Sequence, residues 1–212
     1  VRTRKNEYHA RTVILATGAE HRALNVPGEK ELSGMGVSYC ATCDGAFYKD
    51  KTVAVIGGGD TALGDAMYLS RMAKKVYLVH RRQEFRANQA LQTAVQQNAA
   101  IELVLDAVPT AVLGEKRVDH LELLQNGASK TLPVDGVFVA IGSIPNTDFL
   151  GDLCKLDESG YILADETGVT TTPGVFAAGD VRTTPLRQVV TAVADGANCV
   201  QSIEQYFRKG NG

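Results

Sequence analysis

The chain has 212 residues, 44% hydrophobic and 22% charged, with a formal net charge of −2. That is the ordinary make-up of a soluble globular protein, long enough for one large or two small domains. The small net charge argues against a nucleic-acid-binding surface, and no apolar run approaches the roughly 18 residues of a membrane helix.

Val1–Arg4 and Glu7–Ala10 read as the end of a hairpin, and Thr12-Val-Ile-Leu-Ala-Thr-Gly18 as the strand that follows it. No signal-peptide pattern is present, but the first residue is Val and not Met, so the native start is expected upstream and this end does not decide targeting. Cys40-Ala-Thr-Cys-Asp44 comes next, two thiols three positions apart with an acid directly behind them. Thr52–Ile56 is a β-branched strand bounded by glycine, and Asp60–Met72 has helical spacing with Leu63, Met67 and Leu69 on one side. Lys75–Val79 is a second strand. Glu84–Gln97 is a second helix with Phe85, Leu91, Ala94 and Val95 as its buried stripe, and Ile101–Leu105 is a third strand. This alternation predicts a parallel sheet with helices on its faces.

After Pro109 the texture changes. Thr110–Leu113, Arg117–Leu124 and Ser129–Leu132 are short strands joined by Gly114-Glu115-Lys116 and by Asn126-Gly127, a dipeptide suited to the positive φ angles of a tight hairpin. Gly136-Val-Phe-Val-Ala-Ile-Gly142 then echoes Thr12–Gly18, and each echo is followed by a proline, Pro27 and Pro145. The echo predicts the exit strands of two like domains, each preceded by a small antiparallel meander. Residues 1–18 would finish a first domain whose opening strand lies upstream of Val1. Gly174-Val-Phe-Ala-Ala, Gly179-Asp180 and a helix over Arg187–Phe207, carrying Val189, Val190, Val193, Val200 and Ile203, would complete it. The fold class expected is α/β: a Rossmann-like, three-layer ββα domain over residues 23–147, inserted into an incomplete domain of the same type formed by 1–22 and 148–212.

Gly57-x-Gly59-x-x-Ala62 follows a strand and opens a helix, the context a dinucleotide fingerprint requires. The first glycine permits the turn, the second lets backbone N–H groups approach a pyrophosphate, and Ala62 lets the helix pack on the strand. An NAD site would carry an acid at the end of the next strand. This chain has His80-Arg81-Arg82 there, with Arg86 further on and Glu84 assigned to the following helix. Arginines bind a 2′-phosphate that an acid would repel, which points to NADPH over NADH.

Cys40-x-x-Cys43 could be half a zinc site, a pair of inert thiols or a redox dithiol. No second metal-like pair accompanies it, and the short spacing favours the redox reading, with no metal expected. Asp44 could hand a proton to a leaving thiolate, or serve as a turn or cap residue. Cys154 and Cys199 are isolated and read as small buried hydrophobes. Gly179-Asp180 alone is a bland turn, although an acid there can hold the hydroxyls of a second cofactor's sugar-like chain. His9, His21 and His120 are scattered and carry no assigned role.

Taken together, Ala16-Thr17-Gly18, Cys40-Ala-Thr-Cys-Asp44, Gly57-Gly-Gly-Asp-Thr-Ala62, His80-Arg-Arg with Phe85-Arg86, Gly142-Ser-Ile-Pro-Asn146, Ala178-Gly-Asp-Val181 and Arg187-Gln-Val-Val-Thr191 resemble the low-molecular-weight thioredoxin reductases over essentially the whole chain. The resemblance implies that Cys40 attacks the thioredoxin disulfide, that Cys43 lies against a flavin, and that Asp44 is the acid. It implies an NADPH site at Gly57, Gly59, Asp60, Thr61, His80, Arg81, Arg82, Arg86, Ile141 and Gly142. It also implies an FAD site lined by Ala16, Thr17, Gly18, Gly179, Asp180, Arg187, Gln188 and Val189, incomplete here because the opening glycine motif of that domain is missing. A cytoplasmic homodimer with a thioredoxin or thioredoxin-like partner is implied as well, with one domain rotating on the other about hinges near His21–Leu24 and Pro145–Phe149. Members often carry acids where this chain has Gly64-Asp65. The rival readings are a flavoprotein that reduces a peroxiredoxin-type partner and a non-catalytic NADP-binding module.

Overall fold

The computed structural model describes residues 1–210. Its strands are β1 (Val13–Leu15), β2 (Ala19–His21), β3 (Val37–Ser38), β4 (Thr52–Ile56), β5 (Lys75–Val79), β6 (Ile101–Val104), β7 (Ala107–Leu113), β8 (His120–Gln125), β9 (Ala128–Pro133), β10 (Gly136–Val139), β11 (Ser143–Pro145) and β12 (Val175–Ala177). Its α-helices are α1 (Ala41–Asp44), α2 (Asp60–Leu69), α3 (Gln89–Gln97) and α4 (Val189–Arg208). The chain divides into two units: His21–Gly142, and Val1–Glu20 together with everything from Ser143 onward.

The unit His21–Gly142 is built on a five-stranded sheet of order β3-β10-β4-β5-β6, parallel throughout. Its strands are apolar on both faces, so each face needs a cover. Val53, Val55, Val76 and Leu78 pack under α2 and α3 with Leu63, Ala66, Leu69 and Val95. On the other face Ala54, Ile56, Tyr77 and Val79 pack against Val112, Leu121, Leu123 and Leu132 of the antiparallel β7-β8-β9 meander. Helices therefore cover one face and a second sheet the other, which is the ββα layering. Asn126 and Gly127 both take positive φ, as the β8–β9 turn demands.

Of the element limits that differ from the sequence reading, three have a physical reason in hydrogen bonding or register. Helix α2 stops at Leu69, where Ala73 N–H closes the last turn onto the Leu69 carbonyl. Helix α3 begins only at Gln89, because Arg86 N–H is spent on the Gly58 carbonyl and the Asn88 side chain caps α3 through Leu91 N–H. Phe85 and Glu84 thus lie in a loop and not in the helix. Strand β7 starts at Ala107 and carries Pro109, tolerated because the register shifts between Pro109 and Ala111.

In the other unit β1 pairs in parallel with β12, Val13 opposite Val175. Leu15, Ile162, Ala177 and Val181 fill one side and Phe176, Ala178 and Cys199 the other, under α4. The segment before β1 shows one antiparallel bridge, Arg2 to Glu7. Ser143–Thr147, read from sequence as part of the middle domain, belongs here. β11 pairs with β2, Asn146 N–H bonds the Gly18 carbonyl and Thr147 Oγ1 bonds the Gly160 carbonyl. Val189, Val190 and Val193 of α4 are exposed, Val189 at 81%, while Asp195 and Cys199 face inward. Among the described residues no helix is long and apolar enough to cross a membrane.

Candidate functional site

Parallel strands deliver their C-terminal ends to one edge of the sheet. Cys40 follows β3, Gly57 follows β4 and Ile141–Gly142 follow β10, the strand between them. The chain runs outward from β4 to β6 on one side and returns as β10 on the other. The β4/β10 gap is therefore a topological switch point, where a parallel sheet opens a crevice for a ligand.

Cys40 and Cys43 form a disulfide, with Cα atoms 5.3 Å apart. Cys40 is the N-cap of α1, and the Cys43 backbone N–H points at its sulfur at 3.2 Å. Asp44 closes the turn, and its Oδ2 accepts a 2.7 Å hydrogen bond from Ser38 Oγ on β3. Ser38 Oγ also accepts the Cys40 N–H at 3.1 Å, so one buried hydroxyl fixes both the cysteine backbone and the acid. Tyr39, between them, donates to Glu29 at 3.0 Å; burial and that carboxylate push its pKa up to about 12. Phe47, three residues past Asp44, is 73% exposed.

At the glycine loop, Gly57 has φ +153°, and a Cβ there would lie 2.6 Å from the Ala62 Cβ, so the fingerprint's close strand–helix approach is present. A Cβ on Gly59, the N-cap of α2, would meet open space. Gly58, which the fingerprint leaves free, turns out to be demanded by packing, because a Cβ on it would fall inside the His80 ring. His80 itself is 8% exposed, stacked on Phe85 with centroids 5.3 Å apart and bonded through Nε2 to the Glu84 carbonyl at 3.1 Å. Burial lowers its pKa, the Glu84 carbonyl opposes this, and the charges of Arg81, Arg82 and Arg86 lower it further. His80 is thus a neutral support beneath the loop, whereas Arg81, Arg82 and Arg86 are exposed. Asp60 accepts from Asn88 N at 2.8 Å and Asn88 Nδ2 at 2.7 Å. Thr61 is exposed beside it, and Ile141 and Gly142 are exposed past β10.

The segments read as a flavin site lie in the other unit. Thr17 Oγ1 donates to the Asn146 carbonyl at 2.8 Å and Asn146 Nδ2 returns a bond to the Thr17 carbonyl at 2.9 Å, a staple that shapes Ala16-Thr17-Gly18. Gly179 takes φ +75° and donates its N–H to the buried Asp195 at 2.9 Å. Asp195 also receives Arg182 through Nε and NH2 at 2.7 and 2.5 Å. The Asp180 carboxylate beside this turn carries no hydrogen bond among the described residues, and the Arg187 guanidinium lies 4.1 Å over the Tyr161 ring. Gln188 and Thr191 form a capping box that starts α4, with Val189 its first residue. The Arg187 Nε is buried with no hydrogen-bond partner, which leaves a donor for an anionic or carbonyl group; the residues present fit an FAD in this respect.

Sequence reasoning missed Ser38, Gly58, Asn88 and the Arg182–Asp195 pair. Asn88 carried a legible signal, an Asn immediately before a helical repeat. An acid such as Asp195 amid the small and apolar residues of α4 hinted at a buried partner. For Ser38 and Gly58 no local signal existed.

Residues 1–196 match the family described as pyridine nucleotide-disulphide oxidoreductase, and the chain belongs to that family. Its branch is that of the thioredoxin reductases. It is 46% identical to the thioredoxin reductase of Listeria innocua over 205 residues, 95% of this chain and 64% of that one. To the thioredoxin reductase of Peptoclostridium acidaminophilum it is 44% identical over 214 residues, 97% of this chain and 68% of that one. The crystal structure of the Streptococcus pyogenes thioredoxin reductase superimposes with a TM-score of 0.91 at 41% identity, covering 98% of this chain and 69% of that one. The chain thus spans about two thirds of the length of these relatives.

Proposed function

We propose that the protein is an NADPH-dependent thioredoxin-disulfide reductase, using FAD, in which the Cys40–Cys43 pair passes electrons to a thioredoxin or thioredoxin-like partner. The observation that carries this is the shared sheet edge: the disulfide, the glycine loop and Ile141–Gly142 leave adjacent parallel strands of one unit. A nicotinamide nucleotide with its pyrophosphate on the α2 N-terminus would lie along that edge. Arg81, Arg82 and Arg86 would hold its 2′-phosphate, with His80 as their support. Ala16-Thr17-Gly18, Gly179-Asp180 and Arg187-Gln188-Val189 would hold FAD, which when bound supplies the two-electron relay between nicotinamide and dithiol.

In the outgoing step a Cys40 thiolate attacks the partner's disulfide, and one partner sulfur leaves with a proton from Asp44, which Ser38 orients. Cys43 then gives up its thiol proton and attacks the Cys40 sulfur of the mixed disulfide, and the second partner sulfur leaves taking up a proton, which restores Cys40–Cys43 and frees the partner as a dithiol. The exposed Phe47 beside the pair suits a protein partner with an apolar contact surface. Residues 1–20 and 143–212 are proposed as the FAD-binding part and 21–142 as the NADPH-binding part, working as a cytoplasmic homodimer.

The test is reduction of thioredoxin by the full-length protein with NADPH. Cys43→Ser should abolish that reduction while NADPH still bleaches the flavin. Undiminished thioredoxin reduction by this variant would remove the dithiol from the electron path.

A further inference from the structure

Between β5 and α3 the chain makes an irregular excursion over residues 80–88, and the three arginines of the NADPH reading ride on it. None of the three pairs with an acid among the described residues, so their positions depend on the backbone beneath them. Two ties hold that backbone to the glycine loop. Arg86 N–H bonds the Gly58 carbonyl at 2.8 Å. Asn88 places its backbone N–H and its Nδ2 on one oxygen of Asp60, at 2.8 and 2.7 Å. Asn88 Oδ1 meanwhile caps α3 through Leu91 N–H at 3.0 Å, so the tie is transmitted to the helix behind it.

The charge of Asp60 suits the helix dipole but not a neighbouring phosphate. The residue stands in the first turn of α2, beside the place where a pyrophosphate would bind, and an acid repels phosphate. Its bonds to Asn88 give the carboxylate a structural task at the base of the arginine segment. Resting on the NADPH reading, we propose that Asp60 is a positioning residue: by holding Asn88 it fixes the Arg81–Asn88 segment against the glycine loop and so sets the preference for a 2′-phosphorylated nicotinamide nucleotide over NAD. A segment left with the Arg86–Gly58 bond as its one tie to the loop would have to be ordered further on binding, at the expense of affinity for the 2′-phosphate.

The experiment is equilibrium titration of the full-length, flavin-loaded protein with NADP+ and with NAD+, for wild type, Asp60→Ala, Asp60→Asn and Asn88→Ala. Losing the paired hydrogen bonds should weaken NADP+ about tenfold while NAD+ changes far less. Asp60→Asn keeps the acceptor oxygen and should retain the preference, and Asn88→Ala should reproduce the loss from the other side of the tie. Equal losses for both nucleotides in Asp60→Ala, tighter binding of both, or an Asp60→Asn that behaves like Asp60→Ala would each overturn the positioning role. The Arg81→Ala with Arg82→Ala variant separates the two levels. If it leaves the preference intact, the 2′-phosphate reading fails and the role of Asp60 falls with it. If it removes the preference while Asp60→Ala does not, only the role of Asp60 falls.

Discussion

Replacing Asp195 by Ala should be among the most destabilising single changes in the chain. Asp195 and Arg182 are both buried, with side chains 6% and 7% exposed, and they meet through two bonds of 2.5 and 2.7 Å. The same carboxylate accepts the Gly179 N–H at 2.9 Å. Removing one member of a buried pair strands the other charge, which costs about 3–5 kcal/mol. A stranded backbone N–H adds about 1–3 kcal/mol. Arg182 keeps the Thr183 and Ala164 carbonyls through NH1, at 2.7 and 3.3 Å, which offsets part of this. A net loss of about 3–5 kcal/mol is therefore expected, read as a fall in the urea midpoint of about 1.5–3 M. Removing both charges, as in Arg182→Met with Asp195→Leu, should cost much less, because no buried charge is left unpaired. The pH dependence has a definite sign. Burial pushes the Asp195 pKa up, but Arg182 and the Gly179 N–H outweigh it and hold the carboxyl below its usual value. A depressed folded-state pKa gives stability that is complete above the unfolded value near ~3.9 and is lost as pH falls through the folded one. The gap between wild type and Asp195→Ala should thus persist from pH 8 to about 5 and narrow below about 4. A loss under about 1.5 kcal/mol at pH 7, or a double variant as unstable as the single one, would mean that no buried charge is stranded.

Two further outcomes follow from unit His21–Gly142. Gly58→Ala should cost about 1–3 kcal/mol by driving a methyl into the His80 ring, which Phe85 and the Glu84 carbonyl prevent from retreating. Adding His80→Ala should recover part of that loss, and strict additivity in a double-mutant cycle would show that the ring is not the obstacle. Asp65 on α2 is half-buried and its pKa is raised to about 6 by burial. A raised carboxylate pKa means that the folded state holds its proton longer than the unfolded one, so stability falls as pH rises from about 4 to 6. Asp65→Asn should then exceed wild type in stability at pH 8 by about 1–2 kcal/mol, after allowance for partial exposure, and match it near pH 4. A difference that is the same at both pH values would contradict this.

Much of the architecture was legible because it rests on local rules. Alternating β-branched strands and helical stripes predict the parallel sheet, Asn126-Gly127 predicts the β8–β9 turn, and Gly57, Gly59 and Ala62 predict the strand–turn–helix of a nucleotide loop. Cys40 and Cys43 announce themselves by spacing alone. The illegible parts are those where a distant group competes for a backbone bond. Residues 84–88 have helical periodicity, yet they are not helical, because Gly58 and Asp60 take the N–H groups of Arg86 and Asn88. The valines of α4 look like a buried stripe, yet Asp195 and Cys199 face inward.

Neighbouring residues alone set the sheet-and-helix order, the place of the cysteine pair and the charge of the arginine segment, since propensity, period and charge are local properties. Which groups serve those motifs follows from the fold. It turned His80 into the neutral floor beneath Gly58, tied Asp60 to Asn88, and set Ser38 against Asp44. Each of these depends on where the parallel sheet brings strand ends together, and hydrogen bonds between residues as far apart as 28 positions leave no periodic trace in the chain.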